Sequence, residues 1–376
     1  MIYDYVIVGA GIAGASLAYR LPSEASVLVL ERESQPGYHS TGRSAAMFIE
    51  TYGTPTIRAL TVAGNAFYSQ PPAGFSEQAI LMPRGVLYIA TAEQMGLLDS
   101  EYEAFERQGL DVVRLTPQQA FEMAPCIRLE KVAGAIYDRA GQDMDVHALH
   151  QGFLKGMRQH GVALRVNAEL RAAQWDGQAW TIELAEAGEP VRARQLVNAA
   201  GAWADTVAGL CGLRPLGIQP KRRSAFLFAP PEGVDHTRWP AVMDVGEAFY
   251  FKPDAGMLMG SPANADPVAA HDVVAEELDI ATGIYHIEEM THLQIRRPSH
   301  TWAGLRSFAP DGELVIGHDS ACPGFFWLAG QGGYGIQTAA GASLLAASLL
   351  QGQPLPAELQ ALSIDPRRVS PARFEQ

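Results

Sequence analysis

The order of apolar and polar positions along the first 30 residues predicts a strand, a helix and a second strand. Residues 3–8 (YDYVIV) are rich in β-branched and aromatic side chains, which is typical of a buried parallel strand. Residues 15–20 are compatible with a helix, and residues 27–30 (VLVL) form a second apolar run. Strands that alternate with helices in this way indicate an α/β fold, in which helices cover a parallel sheet.

Later parts of the chain repeat this pattern. Residues 146–160 predict an amphipathic helix, and residues 162–166 predict a strand after it. Residues 194–205 predict a strand, a turn of small residues and the start of a helix. Residues 325–329 (FFWLA) predict a buried strand, followed by a glycine-rich loop and a small-residue helix. We therefore expect the chain to return to one α/β unit, made of residues 1–50, 141–216 and 299–376.

The two intervening blocks, residues 51–140 and 217–298, have a different character. Short strands are predicted at residues 224–228, 249–252 and 257–260, and the sequence PDAG is a turn signal between the last two. Strands joined by tight turns pair antiparallel. We therefore predict an antiparallel α+β domain inserted into the first unit.

Composition narrows the function classes. The 376 residues include 28 Lys and Arg against 41 Asp and Glu, a net charge of −13. Nucleic acid is excluded as the main partner, because binding phosphates requires a basic face. The three cysteines lie far apart and lack the spacing of a zinc site, which indicates a reducing compartment and no metal. No apolar stretch reaches the roughly 20 residues of a membrane span. We expect a cytoplasmic protein, with peripheral association with the inner membrane left open.

The sequence GAGIAG after the first strand carries the clearest chemistry. Gly9, Gly11 and Gly14 permit a tight turn, close approach of a pyrophosphate and close packing of helix on strand. The helix start then presents free N–H groups to the phosphates. Glu31 ends the second strand, where a carboxylate holds ribose hydroxyls. The pattern predicts dinucleotide binding; the alternative is a glycine turn that only packs.

The next segment, residues 36–46 (PGYHSTGRSAA), bears on the choice between NAD and FAD. Its small and hydroxyl residues allow backbone N–H groups to approach a second part of the ligand, such as a flavin or its pyrophosphate. Arg43 would pair with a phosphate or with a carboxylate of the protein. A solvated loop is the alternative.

Long motifs along nearly the whole chain resemble those of the FAD-dependent D-amino-acid oxidase-like family. In chain order they are GAGIAGAS, GYHSTGRSAA, VNAAGAW, QPKRRSAF, FYFKPDAGM, WAGLRSFAPDGELVIG and QGGYGIQT. Within the family, the chain is most similar to the bacterial D-arginine dehydrogenases. The resemblance implies a Rossmann-like FAD-binding domain of the glutathione-reductase type and a separate substrate domain.

The resemblance also implies non-covalent FAD, extended across the first unit. The ADP part would contact the glycine turn and the end of the second strand, and the last helix would start at the pyrimidine side of the flavin. The cofactor residues implied are Gly9, Gly11, Ala13, Gly14, Glu31, Arg32, Ser40, Thr41, Gly42, Arg43, Ser44, Ala45, Ala46, Leu170, Gly201, Tyr334, Gly335, Ile336, Gln337 and Thr338.

The substrate site follows from the same resemblance. Arg306 matches the arginine that binds the substrate carboxylate, and Tyr250 would add a phenolic hydrogen bond. Arg223 and Tyr52 would line the pocket, and the carbonyl of Gly333 would accept a hydrogen bond from the substrate amine. From the residues alone, a structural ion pair of Arg306 and a core position of Tyr250 remain alternatives.

The implied reaction is oxidative deamination of a D-amino acid. Hydride passes from Cα to the flavin, and the imino acid hydrolyses to a 2-oxo acid and ammonia. Quinone, dye and O2 remain open as electron acceptors, and the resemblance favours a dehydrogenase. Two other functions stay open: oxidation of a secondary or N-substituted amine or imino acid, and an NAD-linked or non-catalytic Rossmann protein.

The chain departs from the D-arginine enzymes at two places. Met47 stands where they carry a histidine, and Val86 or Gly85 stands where they carry the acidic residue that recognises the guanidinium. An apolar wall cannot stabilise a desolvated cation. We therefore expect neutral or hydrophobic D-amino acids rather than D-arginine as substrates, with cation binding by Glu50 or Asp244 as the alternative.

Overall fold

The computed structural model describes residues 1–186 and 188–375 and shows an α/β fold with mixed sheets. The strands, in chain order, are β1 (Ile2–Val8), β2 (Val27–Leu30), β3 (Met47–Phe48), β4 (Leu81–Pro83), β5 (Val86–Ala90), β6 (Val112–Leu115), β7 (Gly134–Asp138), β8 (Gln142–Met144), β9 (Ala163–Arg165), β10 (Leu170–Trp175), β11 (Trp180–Leu184), β12 (Val191–Asn198), β13 (Gln219–Phe228), β14 (Ala241–Asp244), β15 (Tyr250–Asp254), β16 (Met257–Ser261), β17 (Asp266–Pro267), β18 (His300–Phe308), β19 (Val315–His318) and β20 (Phe325–Ala329). The helices are α1 (Ile12–Arg20), α2 (Pro55–Ser69), α3 (Met95–Arg107), α4 (Pro117–Met123), α5 (Val146–Gln159), α6 (Ala204–Leu210), α7 (Glu277–Met290), α8 (Gly335–Leu350) and α9 (Ala357–Ala361).

The first sheet is built around β1, which pairs in parallel with β2 on one side and with β12 on the other. β9 extends the sheet beyond β2, and β20 pairs in parallel with the end of β12. β10, β11 and β19 add antiparallel strands. The strands predicted at residues 3–8, 27–30, 162–166 and 325–329 are confirmed within one residue at each end.

Successive residues of β1 and β2 face two different cores, because side chains alternate along a strand. Ile7 and Val29 pack in a core shared with α1, α5 and α8. Val6 and Leu28 pack on the other face, in a core that includes Trp180. Burial on both faces explains why these strands are continuous apolar runs in the sequence.

The second sheet runs in the order β17-β13-β16-β15-β14-β5-β7-β6, with β18 beside β13. Its pairings are antiparallel except that β5 and β14 are parallel, so the sheet that was predicted as antiparallel is mixed. The predicted strands at residues 224–228, 249–252 and 257–260 correspond to β13, β15 and β16. A third core, which includes Phe226 and Ile287, lies between this sheet and α7. β3, β8 and β4 form a small third sheet.

Three elements do not follow the predicted unit boundaries. β18 lies after the boundary at residue 299, yet it hydrogen-bonds along β13 in the second sheet. α2 lies in the block 51–140, yet Ile57 and Leu60 are fully buried in the core that α8 shares. β4 lies in the same block, yet it pairs with β8 in the third sheet. The division into two units stays a prediction, and these contacts cross it.

The pairing of β13 with β18 brings two arginines together. Arg223 on β13 lies opposite Gly304, and Arg306 on β18 lies opposite Lys221. Opposite residues, and residues two positions apart, share one face of a sheet. Arg223 and Arg306 are therefore diagonal neighbours on the same face, although they are far apart in the chain.

The contact between α2 and α8 predicts a stability effect. A Cβ added at Gly341 would lie 2.2 Å from the carbonyl oxygen of Leu60, so we expect Gly341→Ala to cost about 1–3 kcal/mol. Gly209 in α6 is the control, because an added Cβ there meets no heavy atom within 4 Å and alanine favours helix. Thermal unfolding should show a lower Tm for Gly341→Ala only. Equal Tm values for the two variants would contradict this packing.

Candidate active site

The turn between β1 and α1 brings backbone segments into close contact. Gly9 has φ +104°, and a Cβ there would lie 2.5 Å from the carbonyl oxygen of Ala199. A Cβ at Gly14 would lie 1.9 Å from the carbonyl oxygen of Gly9. Larger residues are excluded at both positions, as close packing of α1 on β1 requires. Gly14 is therefore a packing residue, and it does not line the groove described below.

The carboxylate of Glu31 stabilises this turn. It accepts hydrogen bonds from the backbone N–H groups of Ala10 (2.9 Å) and Glu33 (3.0 Å). It also lines a cavity at the ends of β1 and β2. A carboxylate has acceptor positions beyond these two bonds. Binding of ribose hydroxyls by Glu31 stays a prediction that this position supports.

A continuous groove runs from this cavity to the second sheet. The first cavity contains, among the residues predicted from the sequence, Gly9, Gly11, Glu31, Arg32, Ser40, Thr41, Leu170 and Gly201. The middle cavity contains Gly11, Ala13, Ser40, Thr41, Arg43, Ser44, Ala45, Gly201, Gly335 and Ile336. The two cavities share Gly11, Ser40, Thr41 and Gly201, so an extended ligand can occupy both.

The segment of residues 37–45 lies at the junction of the two cavities and is fixed by hydrogen bonds. Thr41 Oγ1 accepts from the backbone N–H of Ile12 at the start of α1 (3.0 Å), and Ser40 Oγ donates to the carbonyl of Leu305 (2.6 Å). A Cβ at Gly42 would lie 2.5 Å from the carbonyl oxygen of Gly37. Gly42 thus shapes the turn and does not line either cavity.

Arg43 is held by a segment of residues 268–275, which we call the strap. Its guanidinium pairs with Asp272 and donates to the carbonyl of Val273 (2.8 Å). Arg43 holds the pKa of Asp272 below its usual value. Val273 packs in a small apolar cluster with Ala202 and Leu305. Arg43 was predicted to pair with a phosphate or with a carboxylate of the protein, and the structure shows the pair with the carboxylate of Asp272.

A third cavity adjoins the middle one and carries the residues predicted for the substrate. The two share Ser44, Ala45, Arg223, Tyr250, Arg306, Gly333 and Ile336. The third cavity is also lined by Ala46, Met47, Ile49, Tyr52, Met243, Glu247, Phe249, Ala263 and Gln337. A ligand in the third cavity therefore lies next to the middle cavity.

Arg306 occupies the boundary between these two cavities. Its Nη1 donates to the hydroxyl of Tyr52 (3.3 Å), and a Cβ at Gly333 would lie 2.7 Å from Nη1. Burial alone would lower the pKa of the guanidinium, but Tyr52 and Tyr250 outweigh it and the pKa is raised. Arg306 therefore keeps its positive charge inside the protein.

Arg223 and Tyr250 complete an electropositive site. Arg223 Nε donates to the carbonyl of Asn264 (2.6 Å), and burial, followed by the charge of Arg306, lowers its pKa. Burial would raise the pKa of Tyr250, but the charges of Arg223 and Arg306 outweigh it and lower the pKa. In the part of the chain that the structure describes, neither guanidinium pairs with a carboxylate. The site is suited to an anion.

Val86 was predicted in the pocket wall, but it is not among the residues that line the third cavity. Its side chain is fully buried, in a cluster with Ile49 and Ala241. The alternative at this position, Gly85, does not line the cavity either.

Tyr334 and Thr338 were predicted as flavin contacts, but neither lines any of the three cavities. The ring of Tyr334 packs on that of Tyr52 at 4.9 Å, and its carbonyl accepts from the N–H (3.0 Å) and the hydroxyl (2.8 Å) of Thr338. Gly335 and Ile336, in the first turn of α8, line the middle cavity. The positive end of the helix dipole thus lies at the cavity.

Glu247 is a cavity residue that the sequence reasoning missed. It lies in the turn between β14 and β15 with φ +58°, and it lines the third cavity. Glu50 and Asp244, the alternative cation-binding carboxylates, do not line this cavity: Glu50 accepts from Asn65 (3.0 Å) and Asp244 from Gln94 (2.9 Å). The turn sequence VGEAF predicts a loop, and no local signal shows that the loop reaches the cavity.

Comparison with known proteins identifies the family. The family named DAO, FAD dependent oxidoreductase, matches residues 4–349. The chain therefore belongs to this family, and the protein is an FAD-dependent oxidoreductase. The narrower resemblance to D-arginine dehydrogenases stays a prediction.

Individual relatives are distant but extend over most of the chain. Mitochondrial dimethylglycine dehydrogenase of Rattus norvegicus is 25% identical over 97% of this chain, which spans 44% of that relative. FAD-dependent oxidoreductase domain-containing protein 1 of Bos taurus is 23% identical over 89% of this chain and 78% of the relative. The structure of L-α-glycerophosphate oxidase from Mycoplasma pneumoniae, with FAD bound, has a TM-score of 0.84 at 16% identity and covers 93% of this chain and 95% of its own. This likeness shows the fold.

The groove fits FAD on its own geometry. The glycine turn leaves no space for side chains, Glu31 lies at the first cavity and the start of α8 lies at the middle one. The first cavity would hold the adenosine part and the middle cavity the flavin. The cysteines Cys126, Cys211 and Cys322 are buried and line none of the three cavities. Among the described helices, none combines the length and apolar character that crossing a bilayer requires.

The strap predicts a change in the rate of FAD release. Asp272→Asn removes the charge that holds Arg43 over the middle cavity, so we expect FAD to dissociate about three- to tenfold faster. The measurement is the recovery of flavin fluorescence after dilution of the holoenzyme.

Asp266→Asn is the matched control. The side chains of Asp266 and Asp272 are similarly exposed (52% and 54%), and Asp266 also pairs with an arginine, Arg222, at 3.7 Å. Unlike Arg43, Arg222 does not line the groove. The control should release FAD at the wild-type rate. Equal rates for Asp272→Asn and the wild type would show that the strap does not retain the cofactor.

Proposed function

We propose that the protein oxidises the carbon–nitrogen bond of an α-amino acid, with D-amino acids as the substrates. One observation carries this proposal: the Arg306 guanidinium, which forms no ion pair within the described residues, lies where the substrate cavity meets the flavin cavity. A planar guanidinium binds a carboxylate through two parallel hydrogen bonds. The D configuration is supported by the family resemblance of the sequence motifs.

The side chains position the substrate, and the cofactor supplies the redox chemistry. Arg306 would bind the carboxylate, Tyr250 would donate to it, and the carbonyl of Gly333 would accept from the amine. Fixed at these points, the Cα–H bond is held towards the middle cavity. When bound, FAD would accept a hydride, one proton with two electrons, from Cα of the neutral amine, which leaves the protonated imino acid. Water then converts the imino acid to a 2-oxo acid and ammonia outside the redox step.

The lining of the third cavity supports neutral and apolar side chains. Met47, Ile49, Met243 and Phe249 present apolar surface to the position of the side chain. Burial of such surface favours binding by about 25 cal/mol per Å². Glu247 is the feature that opposes this preference, since its carboxylate would favour a cation.

A second candidate is oxidation of an N-substituted amino acid. The name of the relative dimethylglycine dehydrogenase supports it, and such a substrate carries the same carboxylate for Arg306. Both candidates therefore use one anchor and differ only at the nitrogen.

Replacement of Arg306 tests the carboxylate anchor. We expect Arg306→Met to raise KM by about 100-fold or more, because a buried charged pair is lost. The KM of Arg306→Lys should lie between those of the wild type and Arg306→Met, because lysine keeps the positive charge but lacks the planar guanidinium. Steady-state kinetics with D-Leu are the measurement, with flavin absorbance as the check on cofactor content. Arg222→Met is the control: it breaks the ion pairs of Arg222 with Asp279 and Glu276 and should change Tm rather than KM. A wild-type KM for Arg306→Met would exclude the proposal.

A substrate panel tests the side-chain preference. We expect higher kcat/KM for D-Leu, D-Met and D-Phe than for D-Arg, because apolar side chains dominate the cavity wall. Sarcosine and dimethylglycine in the same panel decide between the two candidates. Glu247→Gln removes the one opposing charge named above and should widen the margin against D-Arg. A D-Arg value above the other three would refute the preference.

A further inference from the structure

The loop of residues 49–53 carries Tyr52 into the substrate cavity. Its backbone makes a tight turn, with the N–H of Tyr52 donating to the carbonyl of Ile49 (3.3 Å). Gln337 of α8 donates from Nε2 to the carbonyl of Ile49 (3.3 Å). Gly53, with φ +101°, follows at once and leaves room for Ile57. The hydroxyl of Tyr52 then accepts from Arg306.

The residue before Tyr52, Thr51, contacts the second sheet instead. Thr51 is 4% exposed, and its Oγ1 donates to Asp138 Oδ2 (2.7 Å). The same oxygen lies 3.0 Å from the hydroxyl of Tyr88. Asp138 on β7 lies opposite Val86 on β5, which is two positions from Tyr88. The side chains of Tyr88 and Asp138 therefore lie on one face of that sheet. We call Thr51, Asp138 and Tyr88 the loop anchor.

The anchor contains a buried carboxyl group that has no part in the reaction described above. Asp138 is 1% exposed, and burial raises its pKa. The groups that hydrogen-bond it are neutral: the Thr51 hydroxyl and the N–H of Ala140 (2.9 Å). Burying a carboxyl group among neutral partners costs stability. Apolar packing of Ile49 with Val86 would keep the loop buried even in the absence of this carboxyl group.

We infer that Thr51 is a positioning residue for the substrate carboxylate: its bond to Asp138 fixes the loop so that the Tyr52 hydroxyl meets Arg306. The chain just before Tyr52 is held at two points: Gln337 of α8 binds the carbonyl of Ile49, and the anchor on the second sheet binds Thr51. Freeing Thr51 lets the Tyr52 ring move without unfolding the loop, because the apolar contact remains. This inference rests on the proposed function, in which Arg306 binds a carboxylate.

Thr51→Val and Thr51→Ser form the test, made in the wild type and in Tyr52→Phe. Valine keeps the branched shape and removes the hydroxyl, whereas serine keeps the hydroxyl. The measurement is the Kd of the 2-oxo acid of leucine for the holoenzyme, read from the flavin absorbance, so no turnover is needed. We expect Thr51→Val to raise Kd about three- to tenfold and Thr51→Ser to stay within about twofold. In the Tyr52→Phe background, Thr51→Val should have no further effect, since the two residues act through one hydroxyl.

Two further variants keep the inference falsifiable. Asp138→Ala breaks the anchor from its other side and should raise Kd as Thr51→Val does, without adding to it. Thr291→Val, which removes a buried hydroxyl that donates to Ile287 (2.6 Å) far from the cavity, is the control and should leave Kd within about twofold of the wild type. A wild-type Kd for Thr51→Val, or an equal rise in the Tyr52→Phe background, overturns the inference alone. A wild type that binds no 2-oxo acid overturns the proposed function and this inference with it.

Discussion

The contact of the Arg306 guanidinium with the backbone of Gly333 is the constraint on which the site depends. A Cβ at position 333 would lie 2.7 Å from Nη1, so a larger residue there would displace the guanidinium from the boundary between the two cavities. The close approach also lets Gly332 donate to the carbonyl of Ser307 (2.8 Å). A strand of the second sheet is thereby joined to the loop before α8, which lines the middle cavity.

The electrostatics of the site depend on this contact between β18 and the loop before α8. Arg306 and Arg223 lie diagonally on one sheet face, and each would be costly to bury without an anion nearby. Tyr52 and Tyr250 partly compensate the charge, and the pKa of Tyr250 falls as a result. In the proposed function, a substrate carboxylate would complete the compensation, and the pair would select acids over amines that lack a carboxylate.

The sequence predicted the parts of the molecule whose chemistry is local. Residue types and spacing within about 30 residues predict the glycine turn, β1, β2 and Glu31. The structure has both strands at these positions, with Glu31 bound to the turn. The groove residues from Ser40 to Ala46 were predicted through the family motifs, and all but Gly42 line one of its cavities. Packing of α1 on β1 explains Gly14, which the motif suggested as a cofactor contact.

Contacts between distant segments could not be read in this way. Membership of β18 in the second sheet depends on its pairing with β13, and the approach of Glu247 to the cavity depends on a turn with φ above zero. Val86 was placed in the wall by motif alignment, but its side chain packs with Ile49 from another loop and does not line the cavity. Asp272 of the strap meets Arg43 across more than 200 residues, a separation at which composition carries no signal.

The most direct measurement compares each D-amino acid with its own amide in anaerobic reduction of the bound flavin. The two compounds have the same side chain and configuration, and the amide lacks the carboxylate charge that Arg306 would bind. Our account predicts that D-leucine bleaches the flavin and that D-leucinamide at the same concentration does not. Equal bleaching by acid and amide would contradict it.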